Sequence, residues 1–375
     1  MNKPKTVTQL QLGMSIGTAI IGVGILAFPR ITVTLVSTGA PLTTLIAVFA
    51  AVLGGLMLAY LGNRYPDETI YEYADHLVGK WVGSIVLLLI GSYFLELTAL
   101  AAREFGEVVV TSVLPRTPVP VTILVILILV VIASRNDIAK FVRILTFYMP
   151  IVYFPALVIV VLSLKSARVE NVMPVLGLFH GVSFQNIVVS TGVVTALFQN
   201  FMITGLIIPF MYQPKRAWKS TTLGIVVAGS LYIILIYSTL GVFGLEEIKN
   251  LLWPTLELAK TAALPAFFVE RLDPVFLAVW VTAVFCAMFA AYYLSIKAFS
   301  HIFRFQDHRA LALMGLPVAL VLSRQPSNIV ELYTVVKNIG LAGLPLTLGY
   351  PLVLTVLSRF KTHQPQSKRR GVGAA

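Results

Sequence analysis

Charge is scarce in this chain and cysteine almost absent. Charged residues make up 12% of 375 positions, about half of the roughly 25% usual in soluble domains. The single cysteine, Cys286, has no partner for an intramolecular disulfide, so oxidative cross-linking within the chain plays no part in the fold and the redox compartment stays unread. Histidine is scarce too. His76, His180, His301, His308 and His363 fall in loops, at the ends of apolar runs or in the tail, without metal-ligand spacing and without a Ser/His/Asp set. They read as solvated polar residues. No catalytic residue, metal site or cofactor is therefore expected, and an enzyme is the weakest reading.

What the chain has instead is hydrocarbon. It is 58% hydrophobic with a mean hydropathy of +0.89, which makes it an integral membrane protein. A helix needs about 20 apolar residues to cross the bilayer core, and on that criterion ten spans are predicted. They cover residues 11–36, 41–62, 81–102, 119–133, 141–164, 186–212, 221–243, 274–299, 311–322 and 341–357, the fourth and ninth being short. The basic N-terminus leads into a full-length span without a small-residue cleavage site, so no cleaved signal peptide is expected.

The formal charge of +12 suggests nucleic acid only until it is placed on this topology. With the N-terminus inside, 18 of the 28 basic residues fall on cytosolic segments together with six acids, whereas the outer segments carry nine of each. The excess is cytosolic, as the positive-inside rule requires, and no nucleic-acid partner is implied. Both termini are then cytoplasmic. The tail over 359–375, with its "SKRRG", is a membrane-surface anchor or a plain topogenic signal.

Two loops carry helical patterns. Residues 67–79, "DETIYEYADHLVG", place Ile70, Tyr73, Ala74 and Leu77 on one face, with Asp67 as cap and Gly79 as stop, and predict a helix lying flat on the cytosolic surface. Residues 245–264 show similar spacing before Trp253-Pro254. That segment reads either as a lid over an outward vestibule or as an interfacial connector.

The stretch "IGVGILAFPR" interrupts the first span at the depth that matters. Gly22 lies roughly 16 Å along the helix, near the midplane. Gly22 and Gly24 flank Val23, and Pro29 removes a further helical hydrogen bond. Broken backbone in hydrocarbon is tolerated where it lines a cavity or binds something; small residues that merely allow close packing are the other reading. The sixth span repeats the pattern at matching depth, with Phe198, Gln199 and Asn200 followed by Thr204-Gly205 and Pro209. Ten spans dividing five and five, with the first and sixth broken, predict an all-α LeuT-like inverted-repeat bundle. Its halves would be 1–164 and 183–358.

Within the spans, Arg30 and Glu96 share an outer-half depth, about 28 Å from Gln11 and about 24 Å from Lys80 respectively. An intramembrane ion pair is one reading; Arg30 snorkelling outward with Glu96 alone facing water is the other. Phe285 and Phe289 share a helix face at i, i+4 and with Phe198 are candidate walls of a small apolar pocket, against the alternative of ordinary aromatic packing.

"GVGILAFPR" (22–30), "LPRTP" (114–118), "NVMPVLGLFHG" (171–181) and "VERLDPVFLAVW" (269–280) together resemble the B subunits of spore germinant receptors. These form the endospore germination permease family of the amino acid–polyamine–organocation superfamily. The resemblance runs over nearly the whole chain. It implies a ten-helix transporter-like fold in the inner membrane of a bacterial endospore. It also implies a receptor complex with A and C subunits and a small germinant, often an amino acid, sensed by this subunit. The broken first span carries over onto Gly22, Val23 and Gly24; the side chains that choose the germinant do not carry over by motif.

A working amino acid permease is the competing function. Proton-coupled relatives place a lysine in the fifth span, yet none stands between Arg143 and Lys165. Sodium-coupled relatives use adjacent hydroxyls in the eighth span, where this chain offers only the separated Thr282 and Ser295. Both absences favour a sensor. Its ligand is expected near the midplane between spans one, three, six and eight, at Gly22, Val23, Gly24, Phe198, Gln199, Asn200, Phe285 and Phe289.

Overall fold

A computed structural model of the chain describes residues 3–173, 181–261, 273–305 and 307–360. The basic tail beyond residue 360, His180, His363 and most of the "ERLD" stretch lie outside the described residues. Among those described, the one β feature is an isolated parallel bridge between Val7 and Met211. All else that is regular is helix.

The first apolar run folds as two helices, α1 (Gln9–Ile20) and α2 (Phe28–Val36), separated by a short 3-10 turn at Val23–Ile25. A capping box starts α1: Thr8 N donates to Gln11 Oε1 at 2.9 Å, and Gln11 N donates to Thr8 Oγ1 at 3.3 Å. Pro29 sits in the first turn of α2, where its missing N–H costs nothing. Next come α3 (Ala40–Arg64), α4 (Ile70–Val78), α5 (Lys80–Ser112), α6 (Val119–Ser134) and α7 (Ile138–Ser163). The sixth run is broken like the first: α8 (Phe184–Leu197), a 3-10 turn at Gln199–Met202, then α9 (Ile203–Ile207), with a bend of 52° across the break. Beyond it stand α10 (Ala217–Asn250), α11 (Pro254–Thr261), α12 (Asp273–Ile302), α13 (Arg309–Leu322), α14 (Ile329–Leu344) and α15 (Tyr350–Phe360).

By length and apolarity alone, 6 helical stretches among the described residues can cross a membrane, or 7 with the bent sixth run. One of the 6 joins α2 to α3, and the short apolar helices α6 and α13 fall below the length criterion. Joining α1 to α2 and admitting those two short helices recovers the ten spans expected. Several ends move. The third helix continues to Ser112 rather than stopping at 102, the tenth begins at Ile329 rather than 341, and α10 is kinked where Gly244 takes φ 71°, a conformation costly to any residue with a Cβ.

The bundle packs around its breaks. α1 lies against α7, α10 and α12, α8 lies against α3 and α14, and α5 runs along α12. Large apolar side chains such as Phe49, Phe154 and Met314 point outward, as a lipid-facing surface requires.

At the end that carries the N-terminus, α4 is not a helix lying free on a surface. Its Ile70, Tyr71, Tyr73, Ala74 and Leu77 are buried, and Tyr71 Oη donates to Leu294 O at 3.0 Å. Its cap is Thr69 rather than Asp67, because Glu72 reaches back to accept from Thr69 N at 2.6 Å. Asp67 instead pairs with Lys5 at 3.1 Å. The segment before α1 is strapped across this end: Thr6 N and Val7 N both donate to Phe210 O, at 2.8 and 3.0 Å, Lys5 Nζ donates to Pro209 O at 2.8 Å, and Lys3 pairs with Glu72.

Burial raises the Glu72 carboxyl, but hydrogen bonds from Lys3 and Thr69 and the Lys3 charge outweigh it and leave the group below its ordinary value. Its contribution is therefore present above that ordinary value and is lost as pH falls through the lowered one. Hydrogen exchange checks this. Amide protection at Thr6 and Val7, normalised for intrinsic exchange, is expected to fall about fivefold in Glu72→Gln, the scale of a part-exposed ion pair, and in the unsubstituted chain to fall only at acid pH.

Candidate functional site

The two breaks meet at a cavity of about 110 Å³. Ile20 and Gly22 border it from the first break, Ala196, Leu197, Gln199 and Asn200 from the second. Leu97, Leu100, Ala101 and Glu104 of α5, Ala287, Met288 and Ala291 of α12, and Val336 of α14 complete the wall. The expected neighbourhood of spans one, three, six and eight is therefore where the cavity lies. Span ten joins it.

Why the glycines stand there follows from approach distances. A Cβ on Gly22 would come 2.6 Å from Ala287 Cβ, and one on Gly24 would come 2.4 Å from Leu197 Cδ2. Close packing and cavity lining thus coexist: Gly22 borders the cavity, whereas Gly24 is packed against α8. Val23 lies between them in the 3-10 turn.

Breaking α1 frees carbonyls that hydrocarbon cannot satisfy, and the rest of the bundle supplies donors. Asn200 Nδ2 donates to Ala19 O at 2.7 Å and to Ala287 O at 3.2 Å, Tyr232 Oη to Ile20 O at 3.3 Å, and Thr255 Oγ1 to Ile25 O at 2.7 Å. The two carbonyls fix the orientation of the Asn200 amide, since a flip would set oxygen against oxygen. Its Oδ1 is buried with no partner. Gln199 borders the same cavity but is committed elsewhere, donating to Gly340 O at 2.8 Å and accepting from Tyr93 Oη.

The second polar group in the wall is one that span prediction placed outside the membrane. Glu104, 2% exposed, accepts from Tyr333 Oη at 3.0 Å, and Tyr333 in turn accepts from Trp253 Nε1 at 2.7 Å. The signal for it was present: Leu97, Leu100, Ala101 and Glu104 continue the helical stripe of α5. Its flanking charges satisfy one another, Arg103 and Glu107 pairing at 2.7 Å. Tyr333 also borders a cavity of about 360 Å³, the outer one on the topology expected from the charges, that is lined by Arg30, Lys249 and Lys337. The Tyr333–Glu104 hydrogen bond therefore links the wall of this outer cavity to that of the central one. Leu252 borders the outer cavity as well.

Three expectations need correction. No ion pair joins Arg30 to Glu96 among the described residues: Arg30 faces the outer cavity, while Glu96 Oε1 is buried with no partner and does not border the central cavity. Shared depth left the angle about the helix axis undetermined, and Glu96 stands about 100° round α5 from Leu97, which does face the cavity. Phe285 and Phe289 stack on each other at 5.9 Å and turn toward α7, where Phe289 meets Phe141 at 4.8 Å and Phe285 meets Tyr148 at 6.2 Å. The opposite face of α12, carrying Ala287 and Ala291, turns to the cavity because Gly22 must approach it. Phe198 packs on Tyr232 at 5.2 Å, within the protein and away from the cavity.

The groups weighed for ion coupling are also placed. α1 packs on a face of α7 without ionisable groups, with Thr18 Oγ1 donating to Leu145 O at 2.9 Å, the Ser15 and Thr146 hydroxyls 3.4 Å apart and Met149 against Gly17. Thr282 donates to Ala278 O at 3.1 Å and Ser295 to Gly91 O at 2.7 Å; neither borders the central cavity.

Comparison with known proteins accords with this arrangement. A family model described as "Spore germination protein" matches residues 6–331. Spore germination protein YndE of Bacillus subtilis is 27% identical over 363 residues, 95% of this chain and 97% of that protein. Spore germination protein A2 of the same organism is 27% identical over 310 residues, 82% and 83% of the two chains. Among solved structures, a Na⁺-coupled sialic acid symporter in a substrate-bound outward-open state superposes with a TM-score of 0.60 at 12% identity, over 93% of this chain and 79% of that one. The nucleobase-cation-symport-1 transporter Mhp1, closed around bromovinylhydantoin, does so with a TM-score of 0.60 at 15% identity, over 92% and 78%. These likenesses establish the fold, a LeuT-like multi-pass bundle, and the match over most of the sequence establishes the rest: the chain belongs to the spore germination protein family.

Proposed function

We propose that this chain is the B subunit of a spore germinant receptor, and that it senses a small amino acid in the central cavity. What carries the reading is a cavity at two aligned helix breaks whose wall holds two hydrogen-bond acceptors with spare capacity, a Glu104 carboxyl oxygen and Asn200 Oδ1. Acceptors of this kind suit a protonated amine. The ligand's carboxylate faces backbone N–H groups freed between Gly22 and Gly24. A cavity of about 110 Å³ is small beside the roughly 300 Å³ or more of drug-sized sites, which restricts the ligand to a few heavy atoms.

Signalling follows from the Glu104–Tyr333–Trp253 chain. An ammonium beside Glu104 competes with Tyr333 for the carboxylate, which loosens the tie from Tyr333 to the lid at Trp253 and shifts the bundle between two states. The A and C subunits read that shift, in the spore inner membrane with both termini of this subunit cytoplasmic. The permease reading draws on the fold shared with two coupled transporters. It lacks support from α7 and α12, where the groups weighed for coupling are absent from the cavity wall.

Equilibrium binding on the reconstituted chain, across an amino acid panel, tests the site. One small amino acid is expected to bind saturably. Glu104→Gln should weaken it about tenfold or more, the scale of a lost charge-assisted hydrogen bond, Gly22→Leu should abolish it, and Phe285→Leu should leave it near the unsubstituted value. Unchanged affinity in Glu104→Gln would remove the carboxylate from the site.

Flux in the same proteoliposomes separates sensor from permease. At fixed pH, binding is expected to be indifferent to sodium and to a proton gradient, with no uphill uptake. Accumulation driven by either gradient would promote the permease.

A further inference from the structure

At the end of the bundle that carries the N-terminus lies a larger cavity, of about 700 Å³, that the germinant reading does not use. Lys297 of α12, half-buried, borders it. Its ammonium has one hydrogen-bond partner among the described residues, His308 Nδ1 at 3.1 Å, and lies over the Tyr293 ring at 5.3 Å. The other nitrogen of His308 stands 3.1 Å from Asn136 O. A carbonyl only accepts, so Nε2 carries the proton and Nδ1 is the bare acceptor that faces Lys297. Burial and the Lys297 charge both hold His308 below its ordinary value, which keeps the imidazole neutral.

Lys297 thus has a neutral neighbour where a counter-ion is expected. Among the described residues no carboxylate lies within 4.0 Å of it. The acids on the same wall are engaged with other groups, Glu72 with Lys3 and Thr69, Asp75 Oδ2 with His301 at 3.0 Å and Asp137 with Lys140 N at 2.8 Å, while Asp75 Oδ1 is buried without a partner. Asp307, outside the wall, engages Arg309 N at 2.9 Å. A second donor waits beside the first. Tyr293 is 0% exposed, borders the same cavity, and its hydroxyl has no partner. A half-buried cation on which Asp137 and Asp307 act only from beyond 4.0 Å, and a buried hydroxyl without an acceptor, are each costly, and one anionic oxygen cluster satisfies both.

We infer that this vestibule holds an oxyanion site, with Lys297 Nζ and Tyr293 Oη binding a phosphate group. The phosphate comes either from a soluble molecule or from the headgroup of an anionic lipid in the adjoining leaflet. The site is independent of the central cavity: its ligand is an anion, it stands on α12 nearer the opposite end from Glu104, and it contains none of the residues assigned to the germinant.

Acylation footprinting of the full chain tests this without relying on a substitution that endangers folding. In neutral phosphatidylcholine nanodiscs, the rate of Lys297 acylation is measured by mass spectrometry as inorganic phosphate is added, ionic strength being held constant with chloride. Exposed Lys215, which does not border this cavity, serves as the internal control. Lys297 acylation is expected to fall saturably, about tenfold at ten times the dissociation constant, with Lys215 unchanged. Tyr293→Phe, which keeps the ring and its stacking on Phe141, should shift the half-point to several-fold higher phosphate. In a second arm, phosphatidylglycerol nanodiscs without phosphate replace the neutral ones. Protection in that arm alone assigns the site to a lipid headgroup, and protection in the first assigns it to a soluble phosphate. Acylation that stays constant in both arms, or that falls equally with chloride alone, overturns the proposal.

Discussion

The whole structure depends on how it satisfies the carbonyls set free where α1 ends in the middle of the membrane. In hydrocarbon each unsatisfied group costs several kcal/mol, so a break can exist only where donors are brought to it. Asn200 comes from the sixth span, Tyr232 from the seventh and Thr255 from α11. Each donor ties a different element to the same few residues. The second break and the docking of α11 both serve that requirement.

The cavity is what this arrangement leaves. Gly22 against Ala287 lets two helices approach closely, yet Ala291, Ala101 and Ala196 are too small to fill the space between five elements. Into that space project an amide oxygen and a carboxylate whose other hydrogen-bonding capacity already holds the fold together. Free polar capacity and structural bonding are therefore shared by the same side chains. On the sensor reading proposed above, occupancy would reach Trp253 through Glu104 and Tyr333, with no driving ion needed because a ligand has only to favour one state.

A transporter-like bundle suits the sensor proposed here. Its fold already has two breaks, a central cavity and separate vestibules toward either side, here of about 360 and 700 Å³. What distinguishes this chain within the fold is the placement of its polar groups. The hydroxyls of α12 bond to backbone, and the face of α7 under α1 carries the Thr146 hydroxyl but no ionisable group.

The sequence by itself determined the membrane class, the ten spans, the two broken runs and the family resemblance, because hydropathy, glycine spacing and short motifs are properties of consecutive residues. It also located the cavity between spans one, three, six and eight, since depth along a helix follows from counting residues. The tertiary structure decided everything that depends on azimuth. Arg30 and Glu96 share a depth but not a direction, Phe285 and Phe289 share a face but turn it to α7, and Asn200 and Gln199 are adjacent but bond to different helices. Glu104 lies beyond the predicted span end at 102; only the packing of α5 against α14 shows that the helix, and the cavity wall with it, continues. Rotation about a helix axis is set by neighbours far away in sequence, and no local pattern records which neighbours those are.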